Sequence, residues 1–179
     1  ADTRTPGRVE FEVFRNGEPF GKHSVTVSNA GGVLVAESAA DLKVNLGPLT
    51  VFRYKQTCRE TWKQTLAELS CATLKDGRTT KVEGTPEGQA FKVSAGRASA
   101  GYPVDVLPSA WWSKPPIGSY EMINTETGKK MPVNVTSVGR ETIKVGGASV
   151  EAEHIRVSGT LTVDLWYDDA GRWVSCAFS

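Results

Sequence analysis

Charge of one sign is what this sequence most plainly lacks: 21 Lys and Arg stand against 20 Asp and Glu in 179 residues, a formal net charge of +1. That balance removes the electrostatic footprint with which a chain holds nucleic acid or an acidic membrane surface. No apolar run approaches the roughly 20 residues that a membrane-spanning helix needs, so no transmembrane segment is expected. Histidine is scarce, at 2, and the pair lies far apart; the 3 cysteines show no C-x-x-C spacing. No zinc or iron pattern is therefore present. A G-x-S-x-G elbow, a phosphate-binding loop and a dinucleotide fingerprint are absent as well. No metal and no other cofactor is expected, and nothing in the sequence marks an enzyme.

What is there reads as strand. Hydrophobic residues at 39% and charged residues at 23% fit a folded globular chain rather than a disordered one. Alternation of period two recurs throughout, while helical periodicity is nearly missing. Val9, Phe11 and Val13 alternate with Glu10 and Glu12, and Asn16-Gly17 gives a hairpin signal. The return strand, 18–28, changes parity between Phe20 and Val25, which a bulge at Gly21 reconciles. Further strands are expected at about 33–44, 49–62, 66–74, 79–83, 90–94, 120–124, 130–138, 141–145, 148–158, 160–168 and 172–178. Glycine-bearing turns such as Asp76-Gly77 and Gly146-Gly147 separate them, and connections this short join antiparallel neighbours. The expected fold is all-β: one domain over residues 1–179, a strongly curled antiparallel meander, open β-barrel or β-spiral. One irregular flap, about 102–118, interrupts it and carries Trp111-Trp112.

Side-chain parity then proposes a site. In 49–62 the odd positions Arg53, Lys55, Thr57, Arg59 and Thr61 are polar, so Phe52, Tyr54, Gln56, Cys58, Glu60 and Trp62 form the inward face. A two-residue turn at Ser158-Gly159 sets Arg156 and His154 opposite Leu161, Val163, Leu165 and Tyr167, and hence inward too. Buried charges are costly unless paired, so Glu60, His154 and Arg156 are expected either to pair or to line a wet pocket. In the second case Tyr54, Glu60, Trp62, Trp111, Trp112, His154 and Arg156 form a ligand site of apolar walls with a few polar groups. His23 is expected across from Glu10, and the acids Glu10, Glu12, Asp168 and Asp169 are expected in solvent.

The opening Phe11-Glu12-Val13-Phe14-Arg15-Asn16-Gly17-Glu18-Pro19-Phe20-Gly21-Lys22-His23 resembles the F-x-V-F-x-x-G-x-x-I-G-x-H start of an uncharacterised proteobacterial family of exported proteins, a domain of unknown function. Leu49-Thr50-Val51-Phe52-Arg53-Tyr54, Glu60-Thr61-Trp62, Asn124-Thr125-Glu126-Thr127-Gly128, Gly139-Arg140-Glu141-Thr142 and Leu165-Trp166-Tyr167-Asp168 through Gly171-Arg172-Trp173-Val174 look like its later blocks. The resemblance implies an antiparallel β fold, a cleaved signal peptide and a periplasmic or secreted location, which the start Ala1-Asp2-Thr3 also suits. It implies no activity. Members run on for another strand past the last block, so 172–178 is expected either to close the sheet against another strand or to form an exposed edge that invites weak homo-association. The cysteines lie outside the family motif. Export implies an oxidising compartment. A turn at Gln64-Thr65 then makes Cys58 and Cys71 cross-strand partners in a disulfide, leaving Cys176 odd; a turn at Lys63-Gln64 sets them diagonally, too far apart.

Three readings of function follow. The leading one is a non-enzymatic envelope protein that binds a small apolar or amphipathic ligand. The alternatives are a lyase- or hydrolase-type enzyme using Glu60 and His154 as acid and base, and a structural envelope protein that binds protein or peptidoglycan along an edge strand.

Overall fold

The molecule, a computed structural model that describes residues 6–15 and 17–178, holds thirteen strands and no helix among them. Asn16, half of the first hairpin signal, and Ala1-Asp2-Thr3 lie outside the described residues. Two units share the chain: Pro6–Val106 with Asn124–Lys129, and Leu107–Ile123 with the chain from Lys130 onward. The first passage between them falls inside the irregular stretch that follows Pro103.

The first unit is an eight-stranded sheet of β1 (Gly7–Arg15), β2 (Glu18–Ala30), β3 (Val33–Leu46), β4 (Leu49–Trp62), β5 (Leu66–Lys75), β6 (Arg78–Glu87), β7 (Ala90–Ala95) and β8 (Ala98–Pro103). Its spatial order is its sequence order. The second unit is a five-stranded sheet of β9 (Gly118–Ile123), β10 (Lys130–Val145), β11 (Ala148–Gly159), β12 (Val163–Asp168) and β13 (Trp173–Phe178), again in simple succession. Every ladder within the two sheets is antiparallel. The all-β meander is thus the fold, and neither sheet closes on itself.

Two elements differ from expectation. β8 has no sequence signal, because Ala98-Ser99-Ala100-Gly101 alternates nothing and only Tyr102 is buried. The stretches 130–138 and 141–145 are one strand: Ser137 pairs with Ile155 and Gly139 with His154, leaving Val138 as a bulge. The bulge expected at Gly21 is present. Val13 pairs with Gly21 and Phe14 with Pro19, so Phe20 is the extra residue. Gly21 has φ +155°, and a Cβ there would lie 2.0 Å from the Asp41 carbonyl oxygen. Only glycine fits between β2 and β3 at that point. The same bulge sets His23 opposite Phe11 rather than Glu10, whose charged neighbours are Arg8 and Lys22. Burial lowers the His23 pKa from its ordinary value.

One face of the eight-stranded sheet carries the packed residues Val25, Val27, Ala36, Trp62, Leu69, Val82, Phe91 and Val93, all buried. Full burial of each large apolar side chain contributes about 1.5–3 kcal/mol. In the middle of that face Cys58 and Cys71 stand directly opposite each other and form a disulfide, with Cα atoms 4.1 Å apart. Gln56 opposite Thr73 and Glu60 opposite Leu69 follow the Gln64-Thr65 register. Only the end slips, Trp62 meeting Leu66 with Ala67 bulged out.

One free thiol per chain, that of Cys176, is expected when thiols are counted in denaturant without reductant, and three after reduction. Three free thiols before reduction would remove the bridge. Closing a loop of 13 residues stabilises by about 3 kcal/mol, so reductant should lower the melting temperature.

Candidate functional site

β4 presents its even residues to the packed face as alternation requires. Glu60 is 1% exposed there, and its Oε1 accepts a hydrogen bond from Trp62 Nε1 at 3.1 Å. Tyr54 is half-buried; burial, and then the charge of Glu126, raise its hydroxyl pKa well above the ordinary value, so it remains a neutral phenol. β5 ends opposite Tyr54 at Lys75, which pairs with Glu126 at 3.3 Å. Past this point the β1–β2 and β3–β4 hairpins run on without β5 beside them. Phe20, Leu42, Val44 and Phe52 are half-buried in this extension, and the Phe20 and Phe52 rings stack with centroids 5.8 Å apart. At its tip Phe14, Leu46, Leu49 and Val51 are exposed, Leu46 to 67% and Leu49 to 64%. The extension thus carries half-buried and exposed apolar side chains, with a neutral phenol and an ion pair at its inner border. The other side of the sheet has a shallow groove of about 420 Å³ bordered by Arg8, Thr26, Glu37 and Arg59, in which Arg59 pairs with Glu37.

In the five-stranded unit the irregular stretch before β9 is packed down. Trp111 and Trp112 are buried, and Tyr167 donates its hydroxyl hydrogen to the Trp111 carbonyl at 2.7 Å. Lys114 binds Glu153. That bond lowers the Glu153 pKa; burial opposes the shift, while the Lys114 charge, a Ser137 hydrogen bond and the Arg140 charge add to it. These tryptophans are therefore wall and core rather than an open flap.

His154 and Arg156 are turned the other way from expectation. Val157 pairs with Val163, Arg156 with Asp164, Ile155 with Leu165 and His154 with Trp166. The loop through 160–162 is longer than a two-residue turn and shifts the register by three, an odd number, which exchanges the two faces. Ile155 and Val157 join the buried Val163 and Leu165, while Leu161 is exposed. Arg156 is exposed, and the carboxylate it meets is Asp164, its Nε donating to Oδ1 at 2.9 Å.

His154 shares that outer face. Its Nε2 lies 2.6 Å from Asp164 Oδ1, its Nδ1 lies 3.3 Å from Glu141 Oε1, and its ring stacks on Trp166 with centroids 4.4 Å apart. Trp166 Nε1 donates to the same Glu141 oxygen. Burial resists ionisation of Asp164, but hydrogen bonds from His154 and Arg156, with their charges, outweigh it and lower the carboxyl pKa. Sequence reasoning missed Glu141, Asp164 and Trp166, because only the true register places them around His154. Among the described residues no cluster of His, Cys, Asp and Glu has the disposition to hold a metal ion, and no helix is long and apolar enough to cross a membrane.

Two open antiparallel meanders with polar groups at their margins define an all-β protein of β-barrel-like type. The chain belongs to the DUF6134 family, a domain of unknown function, whose profile matches residues 11–179. It is similar in fold to the crystal structure of a beta-barrel-like protein of the domain of unknown function DUF1849 from Brucella abortus. The TM-score is 0.60, the identity 6%, and the match covers 89% of this chain and 88% of that one. At that identity the likeness is one of fold alone. No curated protein matches the chain in sequence.

Asp164→Asn should lower stability at neutral pH by roughly 1–3 kcal/mol, since it removes a charged acceptor from two donors. The folded-state pKa of Asp164 is depressed, so its contribution is present above the unfolded carboxyl value and lost as pH falls through the folded one. Denaturant unfolding at several pH values should show parent and variant converging in acid, below the usual carboxylate range. Equal stability at pH 7 would contradict this account.

Proposed function

We propose that this is an exported envelope protein, of proteobacterial origin, that binds an apolar or amphipathic ligand without catalysing a reaction. The observation that carries the reading is the uncovered apolar surface of the β1–β4 extension: half-buried Phe20, Leu42, Val44, Phe52 and Tyr54, continued by exposed Leu46 and Leu49. Monomeric soluble proteins seldom leave large apolar surfaces bare unless something binds there. The polar border of Lys75, Glu126 and the Tyr54 hydroxyl suits the head of an amphipathic molecule whose tail lies on the phenylalanines. The Cys58–Cys71 disulfide supports a periplasmic or secreted location, because such bonds persist in oxidising compartments. The family profile runs through both units, which supports reading the chain as one domain. An acid–base pair of Glu60 and His154 draws no comparable support, as Glu60 is enclosed beside Trp62 and His154 is held between two carboxylates.

A lysophospholipid titration with a fluorescent apolar reporter tests the reading. Leu46→Glu with Leu49→Glu, both at exposed positions, should leave the melting temperature unchanged and weaken uptake about tenfold, the effect of burying less apolar area. Absence of uptake by the parent, or equal uptake by the variant, would overturn it.

A second observation favours association along an edge. β13, Trp-Val-Ser-Cys-Ala-Phe, is an edge strand without a charge or a proline. Weak self-association through it should appear in light scattering as a rising mean mass with concentration, and a Val174→Lys variant should abolish the rise. A parent that stays monomeric at high concentration would refute this.

A further inference from the structure

Of the five tryptophans, Trp62, Trp111, Trp112 and Trp173 are buried, between 2% and 8% exposed. Trp166 alone is not. Its indole is nevertheless held at three places. The backbone belongs to β12, the ring stacks on His154 of β11 at an interplanar angle of 22°, and Nε1 donates to Glu141 of β10. A side chain spanning three strands in one orientation has little rotamer freedom left to lose when something binds it. His154 closes one face of the indole, so the exposure that remains is on the opposite face and the edges.

We infer that Trp166 is the platform of a glycan-binding site on the outer face of the five-stranded sheet, separate from the apolar surface of the β1–β4 extension. A pyranose ring offers a row of C–H groups to a flat aromatic face and hydroxyls around its rim, and an indole answers the first of these. The rim is answered by groups already fixed beside it. Arg156 has 47% of its side chain exposed; its Nε is bound to Asp164, which orients the guanidinium and leaves its terminal N–H groups as donors. Glu141, 47% exposed, supplies carboxylate acceptors at the opposite edge. Preorganised donors and acceptors around a rigid aromatic ring are what a sugar needs to exchange its water for protein.

Charge selects the ligand class. Glu141 accepts from the indole nitrogen and Asp164 lies against His154 with Arg156 bound to it, whereas Glu151 and Glu153 alternate to the other face with Ile155 and Val157. A nucleotide stacking its base on Trp166 would carry its phosphates past the Glu141 carboxylate, against like charge. A neutral or N-acetylated sugar meets no such opposition. The ligand is therefore an uncharged stretch of glycan, with one ring on Trp166.

Calorimetric titration of the intact protein with chitotriose and with cellotriose tests the site. The parent should bind at least one trisaccharide and quench indole fluorescence. Trp166→Ala should weaken binding about tenfold or more, the scale of losing one stacked ring. Arg156→Ala keeps the platform and should weaken binding severalfold, and Trp166→Phe should fall between parent and Trp166→Ala. Circular dichroism confirms that each variant is folded; if Trp166→Ala is not, Arg156→Ala and Trp166→Phe decide alone. Failure of the parent to bind either sugar, unchanged affinity in the folded variants, or tighter binding of adenosine monophosphate than of both sugars would overturn the inference.

Discussion

The pairing of Cys58 with Cys71 fixes the register on which the larger sheet depends. A single row of directly opposed residues passes through it from edge to edge: Val9, Val25, Ser38, Cys58, Cys71, Val82, Ala95 and Ala98. Because side chains alternate, a slip of one residue at the disulfide would turn every residue of the following strands to the other face. The covalent bond joins β4 to β5, with three strands before them and three after, so both halves inherit their faces from the same point. Glu60, buried one alternation further along β4, tolerates its position only while that face is kept, with Trp62 Nε1 beside it.

The smaller sheet has no covalent pin and uses an imidazole instead. His154 on β11 reaches Glu141 on β10 and Asp164 on β12, and Trp166 lies over it. Removing the ring would leave two carboxylates without their shared neighbour and an indole without its support. The bulge at Val138 belongs to the same arrangement. It re-aims β10 so that Gly139 rather than a larger residue lies opposite His154. The outer face of this sheet thus carries polar groups bound into one network, while Ile155, Val157, Val163, Leu165 and Tyr167 fill the inner one.

Much of this was legible in the amino-acid order. Most of the strands, their antiparallel succession, the inward face of β4 and the bulge at Gly21 follow from period-two alternation and turn chemistry, and the Cys58–Cys71 partnership is one of the two pairings that the turn after β4 left open. What escaped has a common cause. Local pattern specifies a face only relative to a turn, and the Ser158–Val163 connection is three residues out from the two-residue turn its Ser-Gly invites. Arg156 and His154 changed sides with it, and with them Glu141, Asp164 and Trp166 came together. The tip of the β1–β4 extension was hidden for a different reason. Leu46 and Leu49 look like core by composition, and only the early end of β5 at Lys75 leaves them uncovered.

The simple succession of strands also bears on how the molecule comes into being. Each strand's partner is the one made just before it, so no pairing within either sheet waits for a distant part of the chain. Contacts so local keep loop-closure entropy small and make for rapid folding among β proteins. Cys58 and Cys71 come within reach as soon as one hairpin exists, long before synthesis is finished. A chain delivered from its amino end can therefore lay down its larger sheet strand upon strand and lock it midway, so that the remaining strands are added to a template already sealed.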